Sequence, residues 1–296
     1  MDANNKKQDY LMGETAIFKK LDRIDELLTL PTIAMEVNSM LQNMETSIKM
    51  LSDIIEKDQA IASKILRLVN SAFFGFPSKI NNIPHALMVL GFNTVRNAVM
   101  SVSVIDTLSM KNVPNGWDIE EFWKHSLAVA VTSRTLAEKT KLGSPDNCFM
   151  GGLLHDIGKI ILAQFFREIV LQILTLAGDE KISFSDTEKE INSIAHDQIG
   201  GYLVKQWKLP SDLVDAVRYH HSTTTKVYDL NFLIIIHTAD YIVNAFNQKS
   251  RTNINITSLR KDAETIMEKQ LETVDEWFPE TAIEIDSACD FFLREI

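Results

Sequence analysis

Cysteine is nearly absent: the 296 residues hold only Cys148 and Cys289. Two thiols cannot build a disulfide framework, and a reducing, cytoplasmic setting is the simplest expectation. Glycine and proline are also sparse, at 11 and 7. So few turn formers argue against an all-β architecture and favour helices. Long apolar runs are missing too. The longest near the middle, Phe232 to Ile236, is five residues, whereas a membrane span needs about 20, so no membrane association is expected. The first twenty residues, MDANNKKQDYLMGETAIFKK, lack the apolar core and small-residue cleavage site of a secretory leader. Positive charge is in deficit, with a formal net charge of −10. An acidic chain repels a phosphate backbone, which disfavours non-specific nucleic-acid binding.

What is present is helical periodicity. After a polar segment expected to be flexible (residues 1–20), apolar residues recur at helical spacing through residues 21–30, then through IAMEVNSMLQNM, SIKMLSDIIEKD and IASKILRLVNSAFF. A short helix, PHALMVLG, is expected to start at Pro84 and end at Gly91, followed by the longer NTVRNAVMSVSVIDTLSM. KNVPNGW, with Pro114 and Gly116, is the clearest boundary. It separates a helical lobe (residues 21–112) from a second lobe (residues 117–248). In the second lobe, residues 118–141 read as one helix stopped by Gly143. Ser185-Asp186-Thr187-Glu188 has capping-box spacing and is expected to open a helix running to about Trp207. Another helix begins at Ser211 and reaches His221, and LNFLIIIHTADYIVNAF follows as a buried one. The end of the chain, residues 249–296, reads as an acidic helical tail; its last 36 residues carry 3 basic and 11 acidic side chains. Such a charge run is more often a solvated helix face than a docking site for a basic partner.

Histidine carries the chemical signal. Six of the seven, His125, His155, His196, His220, His221 and His237, lie between positions 125 and 237, and only His85 lies outside. An even spread would place about three there. Two local features sharpen the signal: His155-Asp156 in the apolar, glycine-flanked frame GGLLHDIGK, and His220-His221 at a helix end. Imidazole and carboxylate together suit Fe, Mn, Zn and similar ions. The plainer alternative for Asp156 is a helix cap.

GLLHDIGK resembles the central motif of the HD superfamily of metal-dependent phosphohydrolases. LPTIAMEVNSML, LSDIIEKDQAIASKILRLVNSAFFG, INNIPHALMVLG, FWKHS and WKLPSDLVDAVRYHH together resemble the HDOD (HD-related output domain) family of bacterial signalling proteins, from about residue 30 to 247. The resemblance implies an all-α fold, with an N-terminal helical lobe packed on an HD-like lobe. It further implies a metal set. His125, His155, Asp156 and Asp240 would hold one ion. His196, His220 and His221 would hold a second, with Asp156 bridging. Two divalent ions are expected, Fe or Mn foremost, with Zn, Ni or Mg as alternatives. Glu121, one turn before His125, matches a glutamate that some phosphodiesterase relatives use for a third metal; it also fits a helix N-terminus capped by Asp118. Asp156 and Lys159 are the candidate catalytic pair, with Lys159 either binding a substrate phosphate or pairing with a carboxylate.

Each ligand has a plainer reading. His125 and His196 could be core histidines, and the double histidine could complement a helix dipole. Adjacent helical residues point about 100° apart, so both His220 and His221 can reach one centre only if the turn is distorted. Asp240 lies in a very apolar helix and needs a partner; His237, a turn earlier, reads as a core residue or a support for a ligand. One departure bears on function. In cyclic dinucleotide phosphodiesterases the double histidine is followed by a glutamate and a Gly-Tyr-Pro segment that recognises substrate; here STTTKVYD follows His221. The expectation is therefore a signalling or interaction protein with a retained metal centre, its partner unnamed. The alternative is a phosphohydrolase or phosphodiesterase acting on a phosphate-containing ligand. No fused receiver or sensor is recognisable, so input is expected through a partner or ligand.

Overall fold

The structure is a computed structural model. It describes residues 14–21, 30–40, 46–71, 79–109, 113–180, 183–191, 193–222, 224–248 and 261–293. Among these every regular element is a helix and none is a strand, as the shortage of turn formers implied.

The N-terminal lobe gathers α2 (Thr32–Met40), α3 (Ile48–Ile55) and α4 (Gln59–Val69) around α5 (Ile83–Leu108); α1 (Glu14–Leu21) lies instead against the second lobe, with Lys20 over the Phe166 ring. Side-chain caps set the starts: Ser47 accepts from Met50 N at α3, Asp58 from Ala60 N and Ile61 N at α4, and Asn82 from His85 N at α5, with Pro84 in the first turn. Gly91 divides α5, as expected for the end of PHALMVLG, because its backbone (φ 81°, ψ 168°) lies where only glycine is unstrained. α5 is also the one single helix, among the described residues, with the length and apolarity of a membrane span. The break at Gly91 and the burial of Val95, Val99, Val102 and Val104 mark it as the core helix of its lobe.

The HD-like lobe is built on α6 (Ile119–Thr140) and α7 (Pro145–Leu154), which pack on each other and on α13 (Leu230–Gln248). Asp118 caps α6 through Glu120 N and Glu121 N, and Lys141 closes it in the left-handed conformation (φ 60°) two residues before the expected Gly143. Trp123, Leu127 and Val131 line the buried face of α6, each contributing about 1.5–3 kcal/mol by burial. Beside this core run α8 (Ile157–Phe165), α9 (Arg167–Glu180), α10 (Phe184–Glu190), α11 (His196–Gln206) and α12 (Ser211–Tyr219). A polar seam joins the lobes: Thr94 donates to Asp146 at 2.6 Å, Asn97 to the Asp146 carbonyl at 2.7 Å and Arg96 to Asn147 at 3.0 Å.

Three expectations need correction or qualification. Residues 14–20 were expected to belong to a flexible terminus, but they lie in α1, with Ile17 buried and Phe18 against Tyr202. The single helix expected from Ser185 to Trp207 is two, α10 and α11. Ser183, not Ser185, is the cap, and Glu188 is buried rather than reaching back to a cap. The helix expected over residues 21–30 lies largely outside the described residues.

The described part of the acidic tail, residues 261–293, is helical and packed: α14 (Lys261–Ile266), α15 (Glu268–Glu272) and α16 (Val274–Phe292), with α16 lying along α6; the rest of residues 249–296 lies outside the described residues. Phe278 stacks on Phe246 at 4.1 Å, and Lys139 sits over the Trp277 ring.

Candidate metal centre

His155 and Asp156 occupy the break between α7 and α8. Asp156 stands where the N-cap of α8 would be, yet its side chain makes no capping bond. Its carboxylate faces the lobe interior instead, 1% exposed. Gly158, the second residue of α8, permits the approach of α11: a Cβ there would stand 1.9 Å from the carbonyl oxygen of His196.

The two oxygens of Asp156 face two different groups. Oδ2 lies 3.6 Å from His125 Nε2 and 3.3 Å from His155 Nε2. Asp240 closes that side, with Oδ1 3.2 Å from His125 Nε2 and 3.7 Å from His155 Nε2. Asp156 Oδ1 lies 3.1 Å from His196 Nε2 and 3.5 Å from His220 Nε2, and these two nitrogens are 3.3 Å apart. His221 joins the second group: Asp156, His196, His220 and His221 each offer a ligand atom within 4.8 Å of the others, as do His125, His155 and Asp156. α12 ends at Tyr219, so the double histidine is in the turn and not on a regular helix; its rings sit 4.0 Å apart.

Supporting hydrogen bonds aim the rings. His155 donates from Nδ1 to the Gly152 carbonyl and His220 from Nδ1 to the Val217 carbonyl, both at 2.7 Å. Because a carbonyl only accepts, the proton is on Nδ1 and Nε2 is turned to the centre. His237 donates to the His220 carbonyl at 2.7 Å, which makes it a support for the double histidine. Asn244 donates to Asp240 at 2.7 Å.

The electrostatics are those of a site that wants positive charge. Burial would raise the Asp156 carboxyl, but His155 and Lys159 beside it hold it well below the usual range. Burial would likewise raise Asp240, and His125 and His155 hold it down. Burial works against a proton on His155, yet Asp156 and Asp240 push its pKa up to about 10. Burial also opposes a proton on His196, which Glu188 and Asp156 push up to about 9. His220 is lowered by burial, and His221 is lowered well below its usual value by burial and by His220 and His196. Several inward atoms have no hydrogen-bond partner: His155 Nε2, Asp156 Oδ1, and both ring nitrogens of His221. Buried polar atoms left unpaired around a shared centre fit cation ligation, which satisfies them together.

Of the residues singled out in the sequence, His125, His155, Asp156, His196, His220, His221 and Asp240 converge. Glu121 does not: it is exposed, pairs with Lys124 at 3.2 Å, and belongs to the solvated start of α6. Lys159 takes the plainer of its two readings, bonding Asp156 Oδ2 at 2.5 Å with its amine over the Phe184 ring. The side chains of His125 and Lys159 are 20% and 18% exposed, against 0% for His155, His196 and His220, so the centre reaches solvent along that edge. Glu188 was missed. It accepts from His196 N at 2.8 Å and from His196 Nδ1 at 2.7 Å. The sequence offered only an acid with capping spacing, and its partner lies across a helix break.

The HDOD domain family profile matches residues 27–223. An uncharacterised protein of Treponema pallidum (strain Nichols) is 23% identical over 202 residues, which is 68% of this chain and 39% of that protein. The uncharacterised protein YuxH of Bacillus subtilis (strain 168) is 29% identical over 138 residues, 47% of this chain and 32% of YuxH. The chain thus spans well under half the length of these relatives. Among solved structures, an HDOD domain protein of unknown function from Geobacter sulfurreducens superposes with a TM-score of 0.73 at 24% identity, covering 93% of this chain and 96% of that one. A candidate metal-dependent phosphohydrolase from Shewanella amazonensis SB2B gives 0.61 at 19% identity, covering 98% and 99%. At these identities the likeness is one of fold.

Proposed function

Since the chain belongs to the HDOD domain family, we propose that it is a cytoplasmic bacterial regulatory protein that binds two divalent cations in its HD-type centre and acts by engaging a signalling partner. The observation that supports this most is the division of Asp156, one oxygen toward His125 and His155, the other toward His196 and His220. A carboxylate so placed is suited to bridge two ions. His125, His155 and Asp240 would complete the first subsite; His196, His220 and His221 would complete the second. Fe or Mn is the favoured ion, with Zn, Ni or Mg as alternatives. When bound, such ions supply the positive charge the buried carboxylates demand and Lewis acidity toward a phosphate oxygen.

Two features favour regulation over turnover. STTTKVYD after His221 offers none of the substrate-recognising residues of the phosphodiesterase branch. Lys159, the residue suited to hold a substrate phosphate, is bonded to Asp156. A second reading, a metal-dependent phosphohydrolase or phosphodiesterase, is favoured by the part-exposed edge at His125 and Lys159, where a phosphate-bearing ligand could enter.

Elemental analysis of chelator-free protein tests the first reading. Two ions per chain are expected in wild type, fewer in His155→Ala, and a metal-free wild type would overturn it. A nucleotide and phosphodiester panel with Mn2+ or Fe2+ tests the second. Turnover abolished by Asp156→Ala would promote the enzyme reading above regulation.

A further inference from the structure

Glu188 lies outside both ligand groups, yet it is fully buried in the same lobe. A buried carboxylate is costly unless it is bonded and its charge is answered. Both of its oxygens bond one residue: Oε1 accepts the main-chain N–H of His196 at 2.8 Å and Oε2 accepts its Nδ1–H at 2.7 Å. Backbone and ring are gripped together, which fixes both the position of His196 and the rotation of its imidazole. The supports of His155 and His220 are different in kind, neutral carbonyls at the same 2.7 Å. A carboxylate behind an imidazole makes the far nitrogen a stronger donor to a cation than a carbonyl does.

Charge placement adds a second argument. The first subsite faces two carboxylates directly, Asp156 and Asp240. Among the described residues, the second ligand group contains one carboxylate, Asp156, and its other members are three histidines. Glu188 brings the missing negative charge, one imidazole removed.

We infer that Glu188 is the positioning residue that sets the cation affinity of the second subsite, acting through His196, and that it leaves the first subsite untouched. The inference rests on the two-ion reading above. Its consequence is selective. Glu188→Gln preserves volume but sets an NH2 against either His196 N–H or Nδ1. In the latter case the ring must carry its proton on Nε2, the atom aimed at the centre.

The test is Mn2+ titration of the full chain by calorimetry and electron paramagnetic resonance. Wild type is expected to bind two Mn2+ with a spin-coupled spectrum. In Glu188→Gln the first binding constant stays within about threefold of wild type, while the second weakens by about 10–100-fold, the usual cost of losing such a support. The coupled spectrum then gives way to that of isolated Mn2+ at two equivalents. Glu188→Asp, which keeps the charge at shorter reach, is expected to show a smaller loss confined to the same subsite, and it serves as the readout if the glutamine variant does not fold. Two unchanged constants, or two constants that fall together, would overturn the inference. Wild type that binds fewer than two Mn2+ would overturn the two-ion reading, and this inference with it.

Discussion

A single methyl group at position 158 tests how tightly the centre depends on helix packing. The Cβ of Gly158→Ala would lie 1.9 Å from the His196 carbonyl oxygen and 2.8 Å from Gly200 N. Both atoms are main chain, so no side chain can swing away. An ordinary C···O contact is about 3.3–3.6 Å, so α8 and α11 must part by roughly 1.5 Å. Overpacking that moves backbone costs about 1–3 kcal/mol or more, and this overlap belongs at the upper end. At about 2–4 °C per kcal/mol, the melting temperature should fall by roughly 6–12 °C. His196 opens α11, so the same movement carries its Nε2 away from Asp156, now 3.1 Å distant. The second subsite should fail while the first survives. Scanning calorimetry of chelator-treated protein and a Mn2+ titration read the two effects separately. Gly91→Ala is the control. Nothing lies within 4 Å of its Cβ, so only the strained backbone (φ 81°) costs energy, about 1–3 kcal/mol, with cation binding unchanged. A Gly158→Ala protein that melts within about 2 °C of wild type and still takes two ions would refute the packing argument.

Cation affinity should rise with pH. Without an ion, His155 and His196 are pushed up to about 10 and about 9, so near neutrality each holds a proton that a cation must displace. Affinity should strengthen by up to about tenfold per pH unit for each proton released; titrations in buffers of different ionisation enthalpy measure the release, and a pH-independent affinity between 6 and 8 would contradict it. Glu121→Gln should leave metal content unchanged by elemental analysis and stability within about 0.5 kcal/mol, because the side chain is exposed and, among the described residues, pairs with Lys124. Phe292→Ala should cost about 3–5 kcal/mol in a denaturant melt. This ring is 7% exposed in a cleft lined by Leu68 and Ala98 of the N-terminal lobe and by Arg134 and Phe149 of the HD-like lobe. A negligible change would mean that the end of α16 does not bind the lobes together.

The sequence disclosed what depends on local pattern. Apolar spacing and breakers located α2 to α6, α12 and α13, and Gly91 announced the break in α5 because only that residue tolerates its backbone. The candidate ligands were legible because His and Asp are rare in apolar surroundings and because the spacing around His155-Asp156 resembles a known family. What stayed hidden depends on contacts between segments distant in the fold. Glu121 and Glu188 both had capping spacing, and spacing cannot tell a solvated acid from a buried one. Glu121 stays in solvent because it precedes the buried face of α6, where Trp123 and Leu127 begin the core. Glu188 turns inward because the chain bends between α10 and α11 and offers it two N–H groups of His196 at once. That bend is also what lets His196 start a helix facing Asp156. Had α10 and α11 formed the one continuous helix that the pattern suggested, Glu188 and His196, eight residues apart, would be about 12 Å apart along the axis and could not bond. The second half of the centre therefore exists because a helix stops, and the stop is fixed by the buried pair that it brings together.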